Sequence, residues 1–303
     1  MLEELLARCS FPPPSTPVTC AFSGGADSTA LLALATAAGL AVDAVHVDHG
    51  LRPSSAAEAE RAVALGDALG VPVRVVRVEI DPGPNVEARA RAARRAALPS
   101  GALTGHTADD RAETVLINLL RGAGLDGLAA MGPAPTRPLL QLRRHETAAV
   151  CAHLGLVPIQ DPSNHDPRFV RNRVRHELLP LLDDIAGRDT VPLLVRTATL
   201  VAEDLPILES AGAAIDPTDA RAVAAATPAV ARRALRRWLA VEGYPPDAAS
   251  VSRVLEVASG ERRACELPGG RRVERHRQRL RIVTGTEITS SGGMRATPGR
   301  GRN

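Results

Sequence analysis

Between residues 17 and 121, short β-rich runs alternate with alanine-rich stretches of helical pattern, and this alternation limits the possible folds more than any other feature. The predicted strands are residues 17–23, 41–47, 71–78 and 101–106. The predicted helices are residues 27–38, 55–69, 85–98 and 108–121. Strands that alternate with helices build βαβ units, in which helices cover both faces of a parallel sheet. We therefore predict an α/β fold with a doubly wound parallel sheet.

Polar residues stand where the predicted strands end. Ser23 closes the first strand, Asp48 and His49 follow the second, and His106 closes the fourth. Ligands of open parallel sheets bind beyond the carboxyl ends of the strands. We therefore expect these side chains to converge on one ligand site.

Residues 23–28, with the sequence Ser-Gly-Gly-Ala-Asp-Ser, join the first predicted strand to the first predicted helix. The standard phosphate loop of nucleoside triphosphatases contains a lysine, whereas this chain has none, and its 37 Lys+Arg are all arginine. Gly24 and Gly25 allow backbone N–H groups to approach an anion, and the helix directs its positive dipole end toward it. Ser23 and Ser28 add hydroxyl donors. The loop is predicted to bind pyrophosphate without lysine; the alternative is a glycine turn with a polar helix cap.

An acidic residue inside this loop needs its own explanation. Asp27 would repel a bound phosphate unless a divalent cation lay between them, so it is predicted to be a ligand of Mg²⁺. In the next polar loop, Asp48 is a candidate acceptor for a ribose or an adenine amino group, and Arg52 is a candidate partner of a phosphate. The alternative is that these loop residues are only solvated.

A histidine and two acids follow the fourth predicted strand. On a continuous helix His106, Asp110 and Glu113 would fall within about 60° of one another and share one face. Such a cluster can ligate a metal, bind an ammonium group or act as acid and base. Neighbouring carboxylates raise one another's pKa, so a partner cation is expected. The alternative, a helix capped by Thr107 or Asp109 with acids in its first turn, explains Asp109 but not the other two side chains.

Four of the eight residues 168–175 are arginines. Arg171 and Arg175 lie four positions apart and would share a helical face, which suits a phosphate or an RNA backbone. Aromatic residues make up only 2% of the chain, so RNA would be bound through arginines and shape rather than through stacking on aromatic rings. The alternative is a solvated helix whose arginines are balanced by Asp161 and Asp166.

The second half of the chain differs from the first in pattern and in charge. Residues 151–303 hold 23 arginines and 18 acids, whereas residues 1–150 hold 14 arginines and 16 acids. This asymmetry suggests a polyanion partner for the second half, the alternative being a general preference for arginine. Residues 171–259 have a mostly helical pattern, and a short hairpin is predicted to turn at Gly269–Gly270. The polar, aperiodic residues 285–303 are predicted to be disordered.

Composition excludes several classes of protein. Hydrophobic residues make up 45% and charged residues 23% of the chain, as in an ordinary globular protein. No apolar run approaches the roughly 20 residues that a bilayer span needs, and the acidic N-terminus lacks the apolar core of a signal peptide. A cytoplasmic protein without a membrane partner is therefore expected. The cysteines are scattered, without a Cys-x-x-Cys pair for a metal or redox centre.

Six motifs carry a resemblance to a known family. They are AFSGGADSTALL, VDHGLRPSSAAEAE, NVEARARAARRAAL, GHTADDRAETVLINLLRGAGLDGLAAM, RPLL and DPSNHDPRFVRNRVRHELLPLL, in this order. They cover about residues 17–182 and resemble the N-type ATP pyrophosphatases, whose SGG-x-DS loop replaces the lysine-bearing phosphate loop. The first motif is shared by many such enzymes, whereas the order and spacing of all six are similar to those of tRNA(Ile)-lysidine synthetases.

The resemblance implies a domain organisation and a reaction. Residues 1–185 would form a Rossmann-like PP-loop catalytic domain, residues 186–284 a smaller, mainly helical tRNA-binding domain, and residues 285–303 a disordered tail. The enzyme would use ATP and Mg²⁺ to adenylate the C2 oxygen of the wobble cytidine in tRNA(Ile) with a CAU anticodon. The ε-amine of L-lysine would then displace AMP to give lysidine. The oligomeric state, including a homodimer, is left open.

The resemblance also implies site residues. The implied ATP-binding residues are Ser23, Gly24, Gly25, Ala26, Asp27, Ser28 and Asp48. The implied catalytic residues are Asp27, His106, Asp110, Glu113, Arg171 and Arg175. Asp27 would serve Mg²⁺, the histidine and carboxylate face would seat lysine and remove its proton, and one of the two arginines would stabilise phosphate charge.

One departure and two rival functions accompany this interpretation. Family members often carry an aromatic residue where this chain has Arg95, and no specific motif is found beyond about residue 185. A tRNA thiolase of the same superfamily would usually need paired cysteines. A nucleotide-binding module that only senses ATP would need the phosphate loop but would have little use for the carboxylate face or the arginine segment.

Overall fold

The computed structural model describes residues 1–48, 50, 55–79, 86–241 and 246–284. His49 and Arg52 of the second polar loop and the tail at 285–303 lie outside the described residues. The chain divides into two compact units, Met1–Ala202 and Glu203–Asn303. The functional division near residue 185 rests on motifs rather than on compactness, so it stays a prediction.

The first unit is built on a parallel sheet, whose described strands are β1 (Pro17–Ala21), β2 (Ala41–Asp48) and β3 (Val73–Arg77), in the order β1-β2-β3. In register, Cys20 lies beside Ala44, which in turn lies beside Val73. On the other side of β1, Leu103 forms a parallel bridge with Cys20. The strand order therefore reverses at β1, and doubly wound sheets bind their ligands at such a reversal.

The fourth predicted strand, residues 101–106, is wrong in extent. Only Leu103 joins the sheet, and it exchanges two backbone hydrogen bonds of 2.8 Å with β1. The N–H of Thr104 instead donates to the carbonyl of Thr136 at 2.8 Å. Because this hydrogen bond joins the backbone to Thr136 rather than to β1, the chain leaves the sheet after a single residue pair.

The helices of the first unit are α1 (Leu2–Leu6), α2 (Ala26–Ala37), α3 (Ser55–Ala68), α4 (Val86–Ala97), α5 (Ala108–Leu120), α6 (Leu125–Leu128), α7 (Arg144–His153), α8 (Val170–Arg173) and α9 (Leu179–Ala186). A 3₁₀ turn at Pro162–His165 precedes α8, and a π-helical turn at Val174–Leu178 joins α8 to α9. Such π turns are rare and frequently mark functional sites. The four predicted helices are confirmed as α2 to α5, to within one residue at each end.

Helix α10 (Val191–Ala213) carries the chain from the first unit into the second. It is the longest described helix, yet Arg196, Glu203 and Asp204 interrupt its apolar sequence. Among the described residues, no helix has the length and apolar character required to cross a bilayer.

Helix α2 fixes the position of the predicted phosphate loop. Its sequence has no charged residue after Asp27, and Leu31, Leu32 and Leu34 are fully buried. A helix that is apolar on every side is stable only when it is enclosed, and α2 packs on the sheet and on α7. Its N-terminus is therefore held firmly beyond the end of β1.

Two glycines allow the backbone to close around this N-terminus. Gly24 has a positive φ of 79°, and a Cβ there would lie 2.3 Å from Cδ1 of Ile159. A Cβ on Gly105 would lie 2.6 Å from the backbone carbonyl oxygen of Asp27. The first glycine is thus required by its left-handed conformation, and the second by the backbone atoms that fill the space beside it.

The second unit contains α11 (Ala220–Ala225), α12 (Pro228–Leu239), α13 (Ala248–Ser259) and an antiparallel sheet of β4 (Ala264–Leu267), β5 (Arg271–His276) and β6 (Arg279–Thr284) in that order. Leu235 and Leu239 belong to its buried core. The smaller, mainly helical second domain is confirmed, and a third strand extends the predicted hairpin. That strand follows a turn at Arg277 and Gln278, which have positive φ but are not the Asn or Gly residues that usually mark such turns.

Replacing Gly105 with alanine should lower the free energy of unfolding by about 1–3 kcal/mol, because backbone atoms rather than a flexible side chain fill the space. Gly132→Ala is the matched control, since the nearest atom to its Cβ lies 3.8 Å away. Urea unfolding followed by circular dichroism measures both variants. Equal stability of the two would contradict the close packing at the N-terminus of α2.

Candidate active site

Hydrogen bonds among its own groups organise the loop between β1 and α2. The Ser28 hydroxyl donates to the carbonyl of Gly25 at 3.0 Å and accepts from the N–H of Ser23 at 3.2 Å. Gly25 is the N-cap of α2, and no described side chain caps this helix. An uncapped N-terminus presents its free N–H groups to an anion. The geometry therefore favours the anion-binding interpretation over the polar helix cap.

Two cavities of the first unit meet at this loop. The larger, of 840 Å³, is lined by Ser23, Gly25, Ala26, Asp27 and Ser28 of the loop, and by Arg144 and Arg175. The smaller, of 230 Å³, is lined by Phe22, Ser23, Asp48, Glu58 and Arg94, among others. Ser23 and Asp161 line both cavities. Every predicted ATP-binding residue except Gly24, which forms the turn, therefore faces one of the two cavities.

Asp48 faces the smaller cavity from the end of β2. Its carboxylate is buried, and Oδ1 accepts from the N–H of Gly50 at 2.8 Å. Arg94 of α4 faces the same cavity, although the sequence reasoning did not single it out. A carboxylate and a guanidinium in one cavity are suited to a ligand with both hydroxyl and phosphate groups.

Helix α5 begins with a capping box formed by Thr107 and Asp110. The N–H and the hydroxyl of Thr107 donate to Oδ2 of Asp110 at 2.9 and 3.2 Å. Thr107, one of the two alternative caps, therefore begins the helix, and its cap uses a candidate catalytic acid. His106 precedes the N-cap, so its predicted place on the same helical face is wrong: the backbone at Thr107 is extended rather than helical.

His106 is held in one tautomer by its neighbour. The Thr104 hydroxyl donates its only proton to the carbonyl of Thr136 at 2.9 Å, so it accepts from Nδ1 of His106 at 2.8 Å. Burial lowers the pKa of His106, and the charge of Asp110 opposes this effect only in part. The ring is therefore neutral at pH 7, with a lone pair on Nε2, and it is a candidate proton acceptor.

Asp110 and Glu113 share one face of α5, and arginines are the partner cations expected from the sequence. Glu113 is fully buried, and Arg175 donates Nε and Nη2 to its two oxygens at 2.7 and 3.1 Å. Arg144 lies 2.9 Å from Glu113 and 3.2 Å from Asp110. Arg171 lies within 3.7 Å of Asp110 and 3.8 Å of Glu113. Three guanidinium groups thus surround the two carboxylates.

Arg144 also reaches the phosphate loop. Its Nε lies 3.7 Å from Oδ2 of Asp27. Thr147, one turn along α7, donates a short hydrogen bond to Oδ1 of the same carboxylate. Helix α7 therefore connects the loop to the carboxylate face of α5.

The sequence reasoning missed Arg144, although a signal was present. Arg143 and Arg144 stand at the start of α7, where the helix dipole disfavours cations. Acids elsewhere compensate for this: Arg143 pairs with Asp109 at 3.1 Å, and the N–H of Arg144 donates to Asp109 at 2.8 Å. Asp109 therefore holds α7 against α5 and is not just an acid of a first helical turn.

Asp27 and Asp109 have opposite electrostatic environments. Burial raises the pKa of Asp27, and the Thr147 hydrogen bond and the Arg144 charge do not fully offset it. Burial also acts on Asp109, but there the hydrogen bonds from Arg143 and from the N–H of Arg144 outweigh it and lower the pKa. Of these two carboxylates, Asp27 in the phosphate loop is thus the one whose negative charge is only partly compensated.

Comparison with known proteins identifies the domains. The family profile of the PP-loop domain matches residues 2–182, and that of the TilS substrate binding domain matches residues 219–281. A tRNA(Ile)-lysidine synthase of Nocardia farcinica is 46% identical over 242 residues, covering 75% of this chain and 76% of that protein. A tRNA(Ile)-lysidine synthase of Salinispora tropica is 44% identical over 309 aligned positions, covering 89% of this chain and 92% of that protein. The chain belongs to the tRNA(Ile)-lysidine synthase family.

The resemblance inferred from the six motifs is thereby confirmed. Among solved structures, the U34-tRNA thiolase of Methanococcus maripaludis is 17% identical, with a TM-score of 0.53 over 67% of this chain and 77% of that one. At this identity the similarity establishes the fold alone. This member of the tRNA(Ile)-lysidine synthase family therefore has the PP-loop fold, and its site is argued from its own residues.

The opposite environments of Asp27 and Asp109 predict opposite effects of substitution. Asp27→Asn should raise the free energy of unfolding at pH 7. The raised pKa means that the ionised Asp27 carboxylate destabilises the folded state, and this destabilisation reaches its full size above the folded-state pKa. This gain should disappear below about pH 4, the ordinary aspartate pKa. Asp109→Asn should lower stability at pH 7, and the loss should shrink as the pH falls through its lowered folded-state pKa. Urea unfolding across pH measures both; effects of the same sign would contradict this account.

Proposed function

We propose that this protein ligates L-lysine to C2 of the wobble cytidine of tRNA(Ile) with a CAU anticodon, using ATP and releasing AMP and pyrophosphate. The observation that carries the proposal is the position of Arg144. This residue contacts Asp27 of the phosphate loop as well as Asp110 and Glu113 of α5. A single side chain, Arg144, therefore contacts both the proposed pyrophosphate loop and the carboxylate face that would bind an amine.

The two cavities suit the two parts of ATP. The uncapped N-terminus of α2 and the hydroxyls of Ser23 and Ser28 would take up the charge of the leaving pyrophosphate in the larger cavity. The smaller cavity, with Asp48 and Arg94, would receive the adenosine part, with Asp48 as hydrogen-bond acceptor. Ser23 lines both cavities, so the α-phosphate would lie near it.

The residues present fit a magnesium ion through one carboxylate. No group of three or more metal-ligating side chains occurs among the described residues, which agrees with the preference of Mg²⁺ for one or two carboxylates together with substrate phosphates. Asp27 is the candidate ligand, because it lies in the loop and its carboxylate is incompletely neutralised. When bound, the ion would neutralise phosphate charge during the transfer.

The proposed reaction has two steps. The C2 oxygen of cytidine attacks the α-phosphorus of ATP; an O–P bond forms, the bond to the β-phosphate oxygen breaks, and pyrophosphate leaves. The ε-amine of lysine then attacks C2; a C–N bond forms, the C2–O bond breaks, and AMP leaves with that oxygen. The ammonium group must first lose a proton, for which Nε2 of His106 is the proposed acceptor.

The geometry revises how the carboxylates and arginines divide the remaining work. Glu113 is fully buried and both its oxygens are engaged by Arg175, so we assign it to positioning arginines rather than to meeting lysine. Asp110 remains the candidate partner of the lysine amine because it is 8% exposed and because the amine could replace an arginine at Oδ1, where Arg144 and Arg171 lie at 3.2 and 3.7 Å. Arg175 lines the larger cavity and is the proposed stabiliser of phosphate charge, while Arg171 lies beside Asp110 and Thr114.

The tRNA substrate is supported by the family and by the match of residues 219–281 to a substrate binding domain. Lysine and the CAU anticodon are our extension from the names of the relatives and from the amine-binding chemistry of Asp110. We place the reaction in the cytoplasm, as expected from the sequence.

Two rival functions agree less well with the site. Sulfur transfer needs a reactive thiolate, but burial raises the pKa of Cys20 to about 12 and that of Cys151 to about 11. A module that only senses ATP would not need a fully buried glutamate held by arginines beside the phosphate loop. The ligase is therefore the function that the geometry supports best.

A labelling assay tests the proposal. The protein is incubated with ATP, Mg²⁺, labelled lysine and a tRNA(Ile) transcript with a CAU anticodon, and the RNA is digested to nucleosides. We expect label at the wobble position for the wild type and for Asp126→Asn, an exposed control. Asp110→Asn should label about ten- to a hundredfold more slowly at limiting lysine, because the amine loses a charged hydrogen-bond partner. Folded wild-type protein that leaves the wobble position unlabelled would refute the function; full lysine-dependent turnover by Asp110→Asn would refute only the role of Asp110.

A further inference from the structure

A cavity of 540 Å³ lies in the first unit outside the candidate active site. Its walls come from α5, from residues 133–143, from the beginning of α10, and from Arg8 and Ser10. None of the lining residues belongs to the phosphate loop or to the carboxylate face. The cavity therefore has no task in the proposed reaction.

Arg111 of α5 is one of the residues that line this cavity, and two of its hydrogen-bond donors are unused. The residue is only 3% exposed, and its Nη1 donates to the hydroxyl of Thr199 at 2.9 Å. Its Nε and Nη2 have no acceptor among the described residues. Buried polar groups are nearly always paired, and a buried charge without a partner is costly. The missing acceptor points to a ligand.

The two unused atoms form one fork. Nε–H and Nη2–H of a guanidinium are parallel and bind two oxygens of one oxyanion. Arg175 uses this pair of donors on Glu113 at 2.7 and 3.1 Å, and Arg173 uses it on Glu177 at 3.1 and 2.8 Å. In Arg111 the same fork is unpaired and enclosed, with less than 1 Å² of accessible surface on each nitrogen. An oxyanion with two available oxygens would pair with it after a shift of the side chain toward the cavity that Arg111 lines.

The charge of the cavity selects among oxyanions. No Asp or Glu is among the described residues that line it. Arg8 and Arg143 already pair with acids outside the lining, but Arg111, Arg137 and Arg196 have no ion pair with a described acid. A single carboxylate would leave most of this charge uncompensated, whereas a phosphate group carries up to two negative charges.

We propose that this cavity is a phosphate-binding site, with Arg111 as the bidentate ligand and Arg137 and Arg196 as further cations. The apolar walls, which include Leu140 and Val195, would strengthen these charged hydrogen bonds by excluding water. The phosphate belongs either to a free ion such as inorganic phosphate or to the backbone of a bound RNA. The proposal does not rest on the proposed function, because binding here requires no turnover.

The first experiment titrates inorganic phosphate while α,β-methylene-ATP and Mg²⁺ occupy the phosphate loop, with chloride at equal ionic strength as reference. Thermal unfolding of wild type, Arg111→Gln and Arg121→Gln is recorded; Arg121 is an exposed arginine at the end of α5. If the ligand is the free ion, phosphate should stabilise wild type and Arg121→Gln, and Arg111→Gln should require at least about tenfold more phosphate. Without phosphate, Arg111→Gln should be at least as stable as wild type, because an unpaired buried charge is gone. A purely structural arginine would give a less stable variant.

The second experiment measures binding of a tRNA transcript at several salt concentrations. If the phosphate is part of RNA, Arg111→Gln should bind tRNA about tenfold more weakly than wild type does, and the slope of log K against log salt concentration should fall by about one. Arg121→Gln should bind tRNA as the wild type does. Arg196→Gln is exposed and cannot disturb the core, so it checks the same site without a folding risk and should weaken whichever ligand binds. Unchanged binding of both phosphate and tRNA in Arg111→Gln and Arg196→Gln would overturn the proposal.

Discussion

The rest of the site depends on the pairing of Glu113 with Arg175 and Arg144. A fully buried carboxylate destabilises a fold unless guanidinium groups neutralise it. Here the two partners come from α7 and from the π turn after α8, so three separate elements have to meet at one point. Because Arg144 also contacts Asp27, the same pairing fixes how far the phosphate loop lies from the carboxylate face of α5.

Local sequence patterns predicted the parts of this arrangement that are formed locally. The turn at Gly24, the helices α2 to α5 and the shared face of Asp110 and Glu113 follow from backbone requirements and from helical periodicity over a few residues. Helical periodicity could not find Arg144, because its carboxylate partners lie more than thirty positions away along the chain; the local signal was a pair of arginines at the start of a helix. The place of His106 was wrong for a related reason: helical geometry was carried past the N-cap, where the backbone becomes extended.

Two charges in the first unit oppose stability rather than support it. Asp27 is buried with a raised pKa, and Arg111 is buried with two unpaired donors. Such local conflicts are expected where a protein binds charged ligands, because the missing partner is supplied by the ligand. The first conflict lies in the cavity assigned to ATP and its cation, and the second marks a separate phosphate site. A chain without lysine thus provides its anion-binding groups through backbone amides, hydroxyls and arginines.

The most direct test of this account is a double-mutant cycle between Glu113 and Arg175, measured as the free energy of unfolding of Glu113→Gln, Arg175→Gln and the double variant. Glu113→Gln leaves Arg175 without its main partner, whereas Arg175→Gln leaves Glu113 with Arg144 and Arg171 only, so each single substitution should cost about 1–3 kcal/mol. The double variant should cost clearly less than the sum, with a coupling energy above about 1 kcal/mol. Costs that add to within about 0.5 kcal/mol would show that the pairing does not hold the site together.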